Sequence, residues 1–147
     1  MIKKIFLSFM AFIGVALVSS ARDTYARDAS ALPQAAQTTL TNNFKSKVSI
    51  VKIEKTLGKV TEFEVIMTDG SEISFDKSGN WKSVEVGRGK AVPSGFVLKG
   101  MTDYVKKNHS GQKIVGIDKE RGGYEVELSN GIDIKFDSQG NFVKYDD

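Results

Sequence analysis

Apolar and polar residues change period along this chain, and each period predicts an element. Residues 62–68 alternate, with Phe63, Val65 and Met67 on one side and Glu62, Glu64 and Ile66 on the other. Residues 71–76 alternate likewise around Ile73 and Phe75. A period of two marks a half-buried strand. Strands are predicted over 49–54, 62–68, 71–76 and 81–86. Upstream the spacing becomes helical. Leu40 and Phe44 lie four apart; Val97 and Met101 lie four apart, and Met101 and Tyr104 three apart. Each set forms one apolar stripe, which predicts helices over 34–45 and 94–107. Pro33 and Pro93 suit the first helical position, whereas Gly95 and Gly100 weaken the second helix. Asp69-Gly70 and Asn130-Gly131 predict two-residue hairpins with both central residues at positive φ. Gly79 and Gly140 suit left-handed positions in the turns that follow.

The pattern occurs twice. FEVIMTDGSEISFDKSGNW (Phe63–Trp81) aligns without gaps to YEVELSNGIDIKFDSQGNF (Tyr124–Phe142) at an offset of 61, with eight of 19 positions identical. Upstream, IVKIEK (Ile50–Lys55) matches IVGIDK (Ile114–Lys119), and Leu32-Pro33 matches Val92-Pro93. Two copies make a duplicated module rather than a solenoid. The expected fold is α+β: two tandem helix–four-strand repeats with antiparallel strands, which either continue one sheet with the helices on one face or pack face to face. The boundaries are an N-terminal linker at 22–31, a first repeat at 32–86, a linker at 87–91 and a second repeat at 92–147. The first hairpin, 55–61, is three residues longer than its counterpart around 120–123.

Residues 1–21 read differently. Lys3 and Lys4 precede an uncharged, largely apolar stretch, Ile5–Val18, and Ser19-Ser20-Ala21 supplies small residues for cleavage. This is the tripartite pattern of a secretory signal peptide. The apolar stretch is shorter than the roughly 20 residues that span a bilayer, so no stable membrane insertion is expected after cleavage. The expected location is periplasmic or secreted.

Charge changes the picture only when the leader is set aside. The whole chain has 21 Lys+Arg against 18 Asp+Glu, a net charge of +3. Without Lys3 and Lys4 the balance is 19 to 18, and the lysines are scattered among acids. That disfavours a nucleic-acid partner. With no Cys and one His, thiolate chemistry and multi-His metal clusters are excluded. His109, beside Ser110-Gly111, reads as a helix-end residue.

The candidate chemistry lies on the strand face opposite the apolar one. Glu62, Glu64, Glu72, Glu125, Glu127 and Asp133 all point there by alternation. They form either a solvated face or a binding face for a basic or hydroxyl-rich partner. Trp81 and Phe142 occupy matching positions after the turns, where they either cap the helix–sheet layer or serve as binding anchors. Leu57 and Val60 fall in the first hairpin, either packed locally or as a hydrophobic finger. Asp76–Asn80 has oxygen donors at alternate positions but lacks the bidentate Glu of an EF-hand. No metal ligands, cofactor or catalytic residues are assigned, and no enzyme is expected.

The duplicated (F/Y)EVxxxxGxxIxFDxxGN(W/F) pattern resembles the PepSY-like family of Gram-negative gut bacteria, which is similar in fold to the β-lactamase inhibitory protein. The resemblance covers Leu32 to Asp147. It implies a curved, eight-stranded antiparallel sheet with helices on the convex side and a partner on the concave side. The inhibitory protein carries disulfides and this chain has none. No residue matches its inhibitory loops. The expected function is an exported, non-enzymatic protein-binding module that inhibits or regulates an unidentified envelope or secreted protein. The alternative is a periplasmic small-ligand or cation (calcium) sensor.

Overall fold

The structure, a computed structural model, describes residues 23–146; the expected signal peptide, 1–21, lies outside them. The element order is β1 (Thr24–Ala26), a 3-10 turn (Ala29–Ala31), α1 (Gln34–Asn43), β2 (Val48–Thr56), β3 (Lys59–Met67), β4 (Glu72–Asp76) and β5 (Trp81–Glu85). A second 3-10 turn (Ser94–Phe96), α2 (Lys99–Asn108), β6 (Ile114–Glu120), β7 (Gly123–Leu128), β8 (Asp133–Asp137) and β9 (Phe142–Asp146) follow. The nine strands form one open sheet in sequence order, and every neighbouring pair is antiparallel. The fold is α+β. Among the described residues no helix is long and apolar enough to cross a membrane.

One cross-strand row carries the core. Val51, Val65, Ile73, Val84, Ile117, Val126 and Ile134 stand level across seven strands, and all are fully buried. Both helices pack on this face. Ala36 and Leu40 of α1, and Met101 and Val105 of α2, belong to the same core. Each pair lies four apart, so each helix buries one stripe. The 3-10 turn adds Phe96, whose ring contacts Phe44 and Trp81.

Several expectations change. The stretch read as a linker, 22–31, contains β1, which pairs with β2 at the sheet edge. The second helix is interrupted. Ser94–Phe96 forms a 3-10 turn, Val97 is extended (φ −118°), and the α-helix starts at Lys99. Gly95 and Gly100 are poor helix formers, and Gly95 also makes room for the end of α1, since a Cβ on it would lie 2.2 Å from Asn43 Oδ1. His109 caps α2 as expected. Its N–H donates to Val105 O, and its ring bonds the Tyr145 hydroxyl at 2.8 Å.

The turns also exchange types. At Asp69-Gly70 only the glycine has positive φ. Gly70 N–H donates to Met67 O, and Met67 N–H donates to Ser71 O. This is the three-residue loop built on a type I turn with a left-handed glycine; Leu128 to Ile132 repeats it. The turn with two positive φ values is Leu57-Gly58 (53° and 79°). The expected loop 55–61 is therefore mostly strand, with β2 and β3 running up to that turn.

Strand pairing corrects one alignment. Val51 faces Val65 and Ile117 faces Val126. β2 and β6 thus correspond at an offset of 66, not the 64 of the IVKIEK match. The slip is two residues, which leaves every side chain on its expected face. By pairing, the first hairpin is five residues longer than the second, not three.

Candidate functional site

The face turned away from the helices is built from two neighbouring rows. The first runs Lys52, Glu64, Ser74, Ser83, Asp118, Glu125, Lys135, Lys144 across β2 to β9. The second runs Ile50, Ile66, Glu72, Glu85, Gly116, Glu127, Asp133, Asp146. Together they hold eight carboxylates and three lysines. Glu54 and Glu62 face each other one step further along β2 and β3. All six carboxylates expected on this face stand here. Glu54, Glu85, Asp118, Glu120 and Asp146 join them, none of which was singled out in the sequence.

This face is more enclosed than a solvated surface. Glu64, Asp118 and Asp133 are 5%, 4% and 5% exposed. Ser74 and Ser83 are buried and share a hydrogen bond of 2.6 Å between their hydroxyls. Burial of charge in such a place disfavours ionisation. Burial, then Glu85, pushes the Glu72 carboxyl up to about 7. Burial, then Glu120, pushes Asp118 up to about 7, against the pull of Lys82 and Lys135. Glu125 rises to about 8 through burial and hydrogen bonds shared with Glu120 and Asp146. Lys135 answers part of this charge, donating to Glu120 Oε1 at 3.0 Å and lying 3.9 Å from Glu125 Oε1.

At the β2–β3 end, one carboxylate oxygen from each of Glu54, Glu62 and Glu64 lies within 4.8 Å of the other two. Lys52 Nζ is 3.8 Å from Glu54 Oε2, and Lys82 Nζ is 2.6 Å from Glu62 Oε1. Burial, then the facing Glu62, raises the Glu54 carboxyl. Glu64 Oε1 and Glu72 Oε1 are buried without a hydrogen-bond partner.

The aromatic candidates stand elsewhere. Trp81 lies on the helix side, against Phe96 and Tyr124, with Lys119 Nζ 4.2 Å from its ring. Phe142 stacks on Tyr104 at 4.6 Å on that same side and is 39% exposed. Leu57 projects at the hairpin tip, 90% exposed, while Val60 packs on the core. The calcium-like loop Asp76–Asn80 is accounted for as a turn, because Asp76 Oδ1 accepts the N–H groups of Ser78 and Asn80. Asp137 repeats this arrangement with Gln139 and Asn141. An open cleft beside α1, lined by Arg27, Leu40, Phe44 and Met67, holds none of the carboxylates.

The missed residues left one trace. The motif IVKIEK/IVGIDK repeats an acid at its fifth position, Glu54 and Asp118. Both lie on the carboxylate face.

Known structures share this architecture. A periplasmic protein of unknown function from Bacteroides vulgatus is 38% identical over 85% of this chain and 99% of its own, with a TM-score of 0.77. A second protein from that organism, of the DUF2874 family, is 35% identical over 88% and 100%, with a TM-score of 0.75. A Bacteroides thetaiotaomicron protein described as a "putative calcium-regulated periplasmic protein" is 32% identical over 85% and 97%, with a TM-score of 0.76. A search of curated proteins finds no match. All three solved relatives are described as periplasmic, and this chain is periplasmic like them. The family described as "Putative beta-lactamase-inhibitor-like, PepSY-like" matches residues 20–64 and 61–144. With its paired matches, its nine-stranded sheet and its periplasmic relatives, the chain belongs to this PepSY-like family.

Proposed function

We propose that this protein is a non-enzymatic periplasmic binding module whose carboxylate face docks a basic surface of a protein or peptide. The carrying observation is the charge of that face: eight carboxylates against three lysines in its two central rows. The chain as a whole has more basic than acidic residues, so the acids are concentrated on one side. Like charges held together disfavour themselves, and a cationic partner relieves that repulsion and sets register. The family description, beta-lactamase-inhibitor-like, supports inhibition or regulation of an envelope enzyme. The exposed Leu57 turn supplies an apolar second contact. In this reading 32–86 and 92–147 are two copies of one helix–four-strand unit joined by 87–91, and both copies contribute to the face.

The test is capture of partners from envelope extracts at low and high salt, with wild type beside Glu72→Lys plus Glu127→Lys. Both sites are partly exposed, and melting curves check that the reversed protein folds. Specific capture that salt and charge reversal both abolish supports the proposal. Identical capture by both proteins overturns it.

A second reading, a cation-responsive protein, is favoured by one relative being described as calcium-regulated and by the three-glutamate cluster on β2 and β3.

A further inference from the structure

We propose that Glu54, Glu62 and Glu64 form a binding site for one divalent cation, with Ca²⁺ the ion that fits. The inference rests on the cation-responsive reading and gives it a location. Glu54 and Glu62 are directly opposed across β2 and β3, and Glu64 belongs to the next pair along. Directly opposed like charges destabilise a strand pair. Here three carboxylates converge, with one oxygen of each within 4.8 Å of the others.

The donor set favours a particular ion. One oxygen of each carboxylate lies within 4.8 Å of the others, close enough for a single ion to reach all three, since Ca²⁺ binds oxygen at about 2.3–2.6 Å. Mg²⁺ keeps several waters and takes one or two carboxylates rather than an all-protein set. The ligands are all carboxylates, the hard oxygen donors that Ca²⁺ prefers.

Glu64 is the independent observation. It is 5% exposed, and its Oε1 is buried with no hydrogen-bond partner. A buried carboxylate oxygen without a donor is costly. One oxygen of this same carboxylate lies within 4.8 Å of one from Glu54 and one from Glu62, where a cation would draw on all three groups. Two lysines stand at the same carboxylates. Lys82 Nζ lies 2.6 Å from Glu62 Oε1 with its side chain half exposed, and Lys52 Nζ is 3.8 Å from Glu54 Oε2; a cation here competes with both for the same oxygens. The site also ties together the two strands that carry the Leu57 turn. A bound cation therefore stiffens that hairpin.

The test is calorimetric titration of chelator-treated protein with CaCl₂ and with MgCl₂, together with melting curves. The expected result is one Ca²⁺ per chain, a raised melting temperature and at least tenfold weaker Mg²⁺ binding. Glu64→Gln and Glu62→Gln should each weaken Ca²⁺ at least tenfold, and Glu127→Gln should not. Lys52→Met, which removes a competing charge, should tighten Ca²⁺ several-fold, a gain that misfolding cannot produce. Ca²⁺ binding that is indifferent to Glu62→Gln and Lys52→Met overturns the site and leaves the cation-responsive reading standing. Absence of Ca²⁺ binding in the wild type overturns both.

Discussion

The rings of Trp81 and Phe96 meet edge to face, with their centroids 5.2 Å apart. Trp81 opens β5 in the first half of the chain, and Phe96 ends the 3-10 turn in the second. The indole also stacks on Tyr124 of β7, and Lys119 of β6 lies over it. One side chain thus contacts three segments of the other half. In a chain without disulfides, such contacts hold the halves together. Trp81→Ala should lower stability by about 3 kcal/mol, at the lower end for buried aromatics because the indole is partly exposed. Trp81→Phe, which keeps a ring, should cost about half as much. Urea unfolding followed by circular dichroism measures both. Unchanged midpoints would show that the two halves do not depend on this joint.

A second joint requires glycine. Gly79 has φ +93°, and a Cβ there would lie 2.9 Å from Pro33 Cβ and 3.1 Å from Ala36 N. The residue both closes the β4–β5 turn and lets the start of α1 approach it. Gly79→Ala incurs the left-handed penalty of about 1–2 kcal/mol plus a clash with backbone. A loss of at least about 2 kcal/mol is expected. Gly89→Ala is the control. It has a similar φ (+81°) with nothing within 4 Å of the added carbon, so it should show the φ penalty alone. Equal losses at the two sites would remove the packing argument.

The six acids read from the sequence reach the carboxylate face because a period of two assigns faces without knowledge of pairing. The two-residue slip of IVKIEK against IVGIDK did no harm for the same reason. What the pattern could not supply was the set of neighbours. Asp118 faces Glu125, and Glu85 faces Glu72, only through strand pairing. The break before α2 was equally hidden. Gly95 signals weakness, but the side chain it makes room for, Asn43, is more than 50 positions away. Asp69-Gly70 was mistyped because the dipeptide suits two loop lengths, and the Met67–Ser71 hydrogen bond selects the longer.

The raised carboxyls make stability depend on pH in a defined direction. Glu72, Asp118 and Glu125 are held at about 7, 7 and 8, against ordinary values near 4 in the unfolded chain. The folded state therefore binds protons more tightly than the unfolded state. Their contribution is fully present below about pH 4 and is lost as pH rises through 7 to 8. Asp137, lowered by the Asn141 and Gln139 N–H groups, works oppositely, losing its contribution as pH falls below about 4. The melting temperature should thus be higher near pH 5.5 than near pH 8.5. Glu72→Gln and Glu125→Gln, alone and together, should flatten that slope. A melting temperature that rises from pH 5.5 to 8.5 would refute the assignment. The face also becomes more negative across this interval, so a basic partner should bind more tightly at the upper end.

Leu57 brings stability and function into opposition. It is the only non-glycine among the described residues at positive φ (53°), and it is 90% exposed. Both properties are unfavourable for leucine. The left-handed conformation costs about 1–2 kcal/mol, and the exposed side chain gains nothing from burial. Asn-Gly is the preferred pair for a turn of this type. Leu57→Asn should therefore stabilise the protein by about 1 kcal/mol, seen as a rise of a few degrees in melting temperature. Strain kept at an exposed site points to use of that side chain. If the leucine enters a partner, the stabilised variant should capture that partner at least tenfold less well, since burying one leucine is worth about 1.5–3 kcal/mol. Improved stability with reduced capture identifies a contact residue, because a damaged fold cannot give both. Improved stability with undiminished capture would leave Leu57 a poor turn residue and no more.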